Sequence, residues 1–391
     1  MDLYERALAL KEELVSHRRY FHTHAETGLT MPLAKAYIKE QLQKLGIEAK
    51  DCGEGVTATV GSGGKVILLR ADMDALPMRE ESGEPFMSQT DAAHTCGHDL
   101  HAAMLLGAAK LLKENESALR GTVKLMFQPA EETLSGAKHM IEHGILSDPP
   151  VDAALGYHVN GGREAPGGFL YNSSAAMMFS ADMFRITLNG KGTHGAYPQL
   201  GVDPILIGSH IVIALEALIA RETDPQAAAA LTFGSFQAGA NTNIIPETAV
   251  LLGSLRTNDA ALRKQLLARM EAVVSGTAAV FGGSAEVEIL SAAPPLVTDA
   301  AMTEAAVRYM GELPIPGING QNGYSVSGSE DFAYIAERVP AVYMFISAGF
   351  PDAKETYSAH NPKVRFNEDV LPIGTAWLAH CAERWLADNS R

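Results

Sequence analysis

Three short apolar runs constrain this chain more than any other feature. Residues 66–70, 123–127 and 153–157 are each followed by ionisable side chains: Asp72 and Asp74, Glu131 and Glu132, and His158. Helical periodicity fills residues 102–113 and 135–143 between them. Continuous apolar strands alternating with helices predict an α/β domain whose mostly parallel sheet is covered by helices. Open sheets of this kind bind ligands beyond the carboxyl ends of their strands. The five ionisable residues are therefore expected at one rim, although they are far apart in sequence.

Helical patterns at residues 3–24 and 31–45 precede this core, and Gly46 is a plausible stop for the second. Near residue 180 the pattern changes. Residues 183–188 alternate like a half-exposed strand. A helix at 204–221, strands at 229–237 and 248–255, a helix at 259–280 and a strand at 285–290 follow. The order β-α-β-β-α-β is ferredoxin-like. A chain of 391 residues is long for one core. The expected division is a first domain of residues 1–179 and 292–391 with an inserted α+β satellite at 180–291. Pro294-Pro295 marks the return. A helix at 302–310, a strand at 341–347 and a helix at 369–388 complete the first domain.

A net charge of −15 leaves no broad basic surface, which argues against nucleic acid or an anionic membrane as partner. Cys52, Cys96 and Cys381 are distant and odd in number, which suits a reducing compartment. The first residues lack a basic start followed by an apolar stretch. No run approaching the roughly 18 apolar residues of a membrane span is expected, and the expected location is cytoplasmic.

Cys96-Gly97-His98-Asp99 enters the helix that follows it, and His360 lies in Ser358-Ala359-His360-Asn361-Pro362 after the last apolar strand. Thiolate, imidazole and carboxylate together are the ligand set of a borderline-soft divalent metal. A second carboxylate beside a ligating one suits hydrolysis, since one holds metal while its neighbour moves protons. His101 shares a helix face with His98 and either supports the site or packs. His17, His22, His24, His139, His143, His210 and His380 are assigned to helical faces.

Five ordered motifs carry a resemblance. Arg70-Ala71-Asp72-Met73-Asp74-Ala75-Leu76-Pro77, Cys96-Gly97-His98-Asp99-Leu100-His101, Gln128-Pro129-Ala130-Glu131-Glu132, Lys191-Gly192-Thr193-His194-Gly195-Ala196 and His360-Asn361-Pro362 resemble the aminoacylase/carboxypeptidase metallopeptidases. The likeness covers essentially the whole chain. Within the family it resembles the amidohydrolase branch of hippurate hydrolases, N-acetyl-amino-acid deacetylases and auxin-conjugate hydrolases.

The resemblance implies two divalent metals per subunit, bridged by Cys96. His98 and His158 would complete one site, Glu132 and His360 the other. Glu131 would be the general base, Asp74 a carboxylate behind the ligands, and His194 an oxyanion donor that reaches the partner subunit of a homodimer. Asn243 and Arg256 would bind substrate. Other branches carry a histidine at position 72 and an aspartate at position 96, so the metal's identity stays open among zinc, manganese, nickel and cobalt. Gln199 stands where relatives often have histidine, and Tyr157 where a smaller aliphatic residue is commoner. The expected reaction is hydrolysis of an N-acyl amino acid of hippurate or N-acetyl type. The alternatives are a dipeptidase or aminopeptidase on the same scaffold and a catalytically silent binding protein.

Overall fold

A computed structural model describes residues 2–390. The chain forms two compact units. One comprises the residues to Met177, Val297–Ser325 and Asp331 onward; the other comprises Met178–Leu296 and Val326–Glu330.

The first unit is built on an eight-stranded sheet. Its order is Ala49–Cys52, Gly55–Gly61, Gly121–Gln128, Lys65–Asp72, Ala153–Asn160, Ala341–Ser347, Gly168–Tyr171 and Asn319–Asn322. The four central strands, Gly121–Gln128 to Ala341–Ser347, are mutually parallel. Their apolar runs are read correctly from sequence because both faces are covered: all eight residues of Gly121–Gln128 and all seven of Ala341–Ser347 are buried. The antiparallel hairpin Ala49–Cys52 with Gly55–Gly61 was not expected; it closes one edge of the sheet. Helices His98–Glu114 and Val370–Asp388 pack against each other and against Lys65–Asp72, and Lys11–Thr23 packs on both. Ala102, Ala103, Ala108 and Ala109 are fully buried, and their small side chains permit that close layering.

Two boundaries differ from the sequence reading. The helix expected over residues 3–24 is broken at Leu10 (φ −91°, ψ 0°) into Leu3–Ala9 and Lys11–Thr23. The strand expected to end at His158 runs on to Asn160, because pairing with Ala341–Ser347 continues to Ser347↔Asn160. His158 is therefore a strand residue, which fixes its backbone more firmly than a loop would.

The second unit has an antiparallel four-stranded sheet in the order Ala229–Ala238, Thr248–Thr257, Ala181–Asn189 and Ser284–Ala293. Two helices, Pro204–Glu222 and Ala260–Val280, pack on it. In chain order the strands lie 2-3-1-4, the ferredoxin-like arrangement. Helix Pro204–Glu222 bears on one expectation, since its 19 residues match a membrane span by length and composition alone. Here Ile207, Ile211, Leu215 and Leu218 recur at helical spacing and are buried in the unit's core, while Ile213 on the other face is 68% exposed.

Candidate metal centre

Backbone geometry at four points brings the ionisable residues of the first unit together. Lys65–Asp72 ends on Asp72, and Met73 N–H continues its ladder by donating to Gln128 O at 2.9 Å, which delivers Asp74 beside the next loop. Gly97 (φ 96°) precedes helix His98–Glu114, and a Cβ there would lie 2.4 Å from Val159 Cγ2. A glycine is thus required for the Cys96–His98 turn to lie on the strand that carries His158. Ala130 (φ 54°) and Leu134 (φ 55°) form a tight turn in which the Ser135 and Gly136 N–H groups donate to Ala130 O, and Glu131 and Glu132 lie inside that turn. His360 (φ 68°) donates its N–H to Thr95 O at 3.0 Å, which ties its loop to the residue before Cys96. Left-handed non-glycine residues each cost about 1–3 kcal/mol and persist where the surroundings hold them, as they do at functional sites.

Two donor clusters result, and they share Cys96. In one, single donor atoms of Cys96, His98 and His158 lie within 4.8 Å of one another; in the other, those of Cys96, Glu132 and His360 do. A third group of the same span joins His98, Glu131 and Glu132. Cys96 Sγ is 3.3 Å from His158 Nε2, and His360 Nε2 is 3.4 Å from Glu132 Oε2. Both buried histidines are oriented from behind. His98 Nδ1 donates to Asp74 O at 2.9 Å, with Asp74 Oδ1 at 3.3 Å, and His158 Nδ1 donates to Val159 O at 2.6 Å. In its neutral form each presents the lone pair of Nε2 to the cluster, the arrangement that ligating histidines adopt. Burial opposes charge on His98, but Asp72, Cys96 and Asp74 raise it well above the imidazole range, so a metal there would displace its proton.

Electrostatics fit a cation. His98 Nε2 and Glu132 Oε1 are buried with no hydrogen-bond partner, although such atoms are costly to leave unsatisfied. Burial pushes the Cys96 thiol up to about 12, raises Asp74, and with His101 and His98 nearby holds His158 well below the imidazole range. Burial also opposes charge on Glu132, but the His360 hydrogen bond and His98 keep its carboxyl below the usual range. Desolvated thiol, imidazole and carboxylate around two unpaired donor atoms suit a thiophilic divalent metal, whose uptake would release the thiol proton.

Behind this group lies a polar layer that sequence reasoning largely missed. Fully buried Arg70 donates to Asp72 Oδ2 at 2.7 Å, Gln128 Oε1 at 2.9 Å and Asp331 Oδ1 at 3.2 Å. Asp72 Oδ1 accepts a hydrogen bond from His101 Nδ1 at 2.5 Å. Burial opposes charge on Asp72, yet Arg70, His98 and His101 hold its carboxyl well below the usual range. Tyr157 points its hydroxyl at His101 O, 2.6 Å away. A second network joins Asp99 to Arg18 Nε at 3.0 Å and His22 Nδ1 at 2.8 Å, with Glu80 at 3.0 Å from His22 Nε2. His22 thus lies on a helical face as expected, but a buried, ion-paired one.

The remaining candidates lie in the second unit. His194 pairs with Ile244 in a two-stranded ribbon, and just beyond it Gly195 N–H donates to Asn243 O at 2.7 Å; the side chains of His194 and Asn243 are both exposed. His194 Nδ1 accepts from Ala196 N–H at 3.0 Å. Arg256 is the penultimate residue of the strand Thr248–Thr257 and donates to Ser327 O at 3.2 Å.

Residues 68–384 match peptidase family M20/M25/M40. The N-acetyl-L-cysteine deacetylase of Bacillus subtilis (strain 168) is 35% identical over 391 residues, covering 97% of this chain and 90% of that protein. The IAA-amino acid hydrolase ILR1-like 4 of Arabidopsis thaliana is 34% identical, covering 96% and 86%. Among solved structures, the YXEP protein of Bacillus subtilis, a dinuclear metal binding peptidase, superposes with a TM-score of 0.80 at 30% identity, covering 97% of this chain and 99% of that one. With a fold, a donor set and nearly full-length relatives in agreement, the chain belongs to peptidase family M20/M25/M40.

Proposed function

We propose that this hydrolase of amide bonds cleaves N-acyl amino acids, of hippurate or N-acetyl type, to a carboxylic acid and a free amino acid. The observation that carries the reading is Cys96 shared between two donor clusters, with Glu131 in the group formed with His98 and Glu132. Cys96, His98 and His158 would hold one divalent metal, and Cys96, Glu132 and His360 the other. Zinc or another later transition metal suits the thiolate best, and manganese, nickel and cobalt remain candidates. Such a pair, when bound, polarises the amide carbonyl and lowers the pKa of a water from ~16 towards ~7.

Glu131 then acts as general base: it takes a proton from the attacking water and returns it to the leaving nitrogen, a role worth roughly 10²–10⁴ in rate. Asp74 holds His98 and the Glu132 backbone in register. His194 accepts a backbone N–H at Nδ1, which leaves Nε2–H free to donate to a developing oxyanion. We assign that role in trans, across a homodimer formed by the satellite domain at 180–291. The exposed apolar side chains Ile205, Leu206 and Ile213 of Pro204–Glu222 support such an interface. Asn243 and Arg256 are assigned to substrate, the guanidinium to the carboxylate of the amino acid. Three free, buried cysteines are consistent with a reducing, cytoplasmic setting.

The test is amino-acid release from acetyl-, benzoyl- and indole-acetyl amino acids and from dipeptides, using chelator-stripped protein reloaded with zinc or manganese. Metal-dependent cleavage of acyl amino acids, abolished in Glu131→Gln with metal retained, is expected. Cleavage of dipeptides alone would move the assignment to a peptidase. Full activity of Glu131→Gln would remove Glu131 from its role.

A further inference from the structure

His101 has no place in the ligand set, yet it is held at both ring nitrogens and at its backbone. It lies three residues beyond His98 on helix His98–Glu114 and is fully buried. Val159 N–H donates to His101 Nε2 at 2.8 Å. A backbone amide can only donate, so that nitrogen carries no proton. The ring is therefore neutral, with its proton on Nδ1, where it donates to Asp72 Oδ1 at 2.5 Å. Arg70 fixes the other Asp72 oxygen at 2.7 Å, so the carboxylate cannot swing away.

The backbone of the same residue makes the complementary contact, since His101 O accepts the Tyr157 hydroxyl at 2.6 Å. One residue thus grips the strand immediately before and immediately after His158. Its ring also meets His158 edge-on, with centroids 4.7 Å apart and planes at 71°. The helix that His101 belongs to begins at His98, two residues after Cys96.

We propose that His101 is a positioning residue for one half of the metal centre. By pinning Tyr157 and Val159 to the start of the helix, it sets the separation of His158 from Cys96 and His98, and so governs the affinity of that cluster. This rests on the reading of Cys96, His98, His158, Glu132 and His360 as ligands. The cluster of Cys96, Glu132 and His360 takes its bearings elsewhere: Asp74 accepts from Glu132 N–H, and Thr95 O accepts from His360 N–H. A loss confined to one site separates positioning from general core packing, which would weaken both or neither.

The experiment uses stripped protein of residues 1–391 titrated with zinc against a chromogenic chelator, giving two dissociation constants per chain. His101→Ala is expected to weaken one site about 10–100-fold, the range for groups behind metal ligands, and to leave the other within about threefold. Tyr157→Phe should act in the same direction by a smaller factor. It serves as the test if His101→Ala does not fold. Adding His101→Ala to His158→Ala should cost little more than His158→Ala alone, because both act on one site. Equal weakening of both sites, or two sites of parental affinity in both variants, would overturn the proposal alone. A parent protein that binds no metal pair would overturn the metal-centre reading and this proposal with it.

Discussion

Asp74 joins two segments of the candidate centre: its Oδ2 accepts the backbone N–H of Glu132 at 3.1 Å while Oδ1 lies 3.3 Å from His98 Nδ1. Both contacts need an acceptor. In Asp74→Asn one position of the side chain must present an N–H to an N–H, so either the glutamate turn loses its anchor or His98, still bonded to Asp74 O, loses the carboxylate half of its support. Metal affinity is expected to fall about 10–100-fold in this variant, with activity falling alongside and restored in part by excess metal. Chelator competition and turnover at rising metal concentration check this. Unchanged affinity would separate Asp74 from the centre.

Arg70 is surrounded by two buried carboxylates, Asp72 and Asp331, and by Gln128. Removing the cation leaves two buried carboxylates without their counter-charge, which typically costs about 3–5 kcal/mol. Arg70→Met, close in length and apolar, is expected to show that loss in urea unfolding. A loss below about 1 kcal/mol would mean that the carboxylates find other partners or protons.

Much of this was legible in sequence, for a physical reason. Fully buried strands leave continuous apolar runs, and residues that follow such runs are placed by the sheet itself, so Asp74, Glu131 and Glu132 could be grouped before any coordinates. Cys96 and His98 were legible because a helix start is marked by periodicity. The polar layer was not. His22 and Asp99 are 77 residues apart, and Arg70 and Asp331 are 261 apart. No local pattern distinguishes a buried ion-paired arginine or histidine from a solvated one. The segment Val326–Glu330, which groups with the second unit, is five residues without periodicity and left no signal. The hairpin at Ala49–Gly61 was hidden likewise, since Ala49–Cys52 is a polar four-residue edge strand.

Gly97 is a position where one methyl group should be felt. It has φ 96°, and its Cβ would lie 2.4 Å from Val159 Cγ2. Gly97→Ala must both strain the backbone and push the Cys96 turn from the strand carrying His158. Metal affinity is expected to fall about tenfold or more, with a loss of stability of about 1–3 kcal/mol. The double variant Gly97→Ala/Val159→Ala removes the clashing methyl group and should recover part of the affinity while keeping the backbone strain. Recovery of nothing would assign the whole effect to φ.

The His22 network gives stability a dependence on alkaline pH. Burial disfavours the imidazolium, but hydrogen bonds with Asp99 and Glu80 outweigh it and push His22 up to about 9 from an ordinary 6.5. A folded pKa above the unfolded one means that the native state holds the proton more tightly. The stabilisation is therefore complete below about pH 6.5, declines above it, and is gone once pH has risen through about 9. In His22→Gln this contribution is absent at every pH. The difference in unfolding free energy between parent and variant should be largest at pH 6, smaller at pH 8, and approach a constant minimum near pH 10. Urea titrations at those three values, with metal-stripped protein so that ligand titration is common to both, measure it. A difference that stays flat across the range would show that His22 is neutral in the native state, with Arg18 alone compensating Asp99.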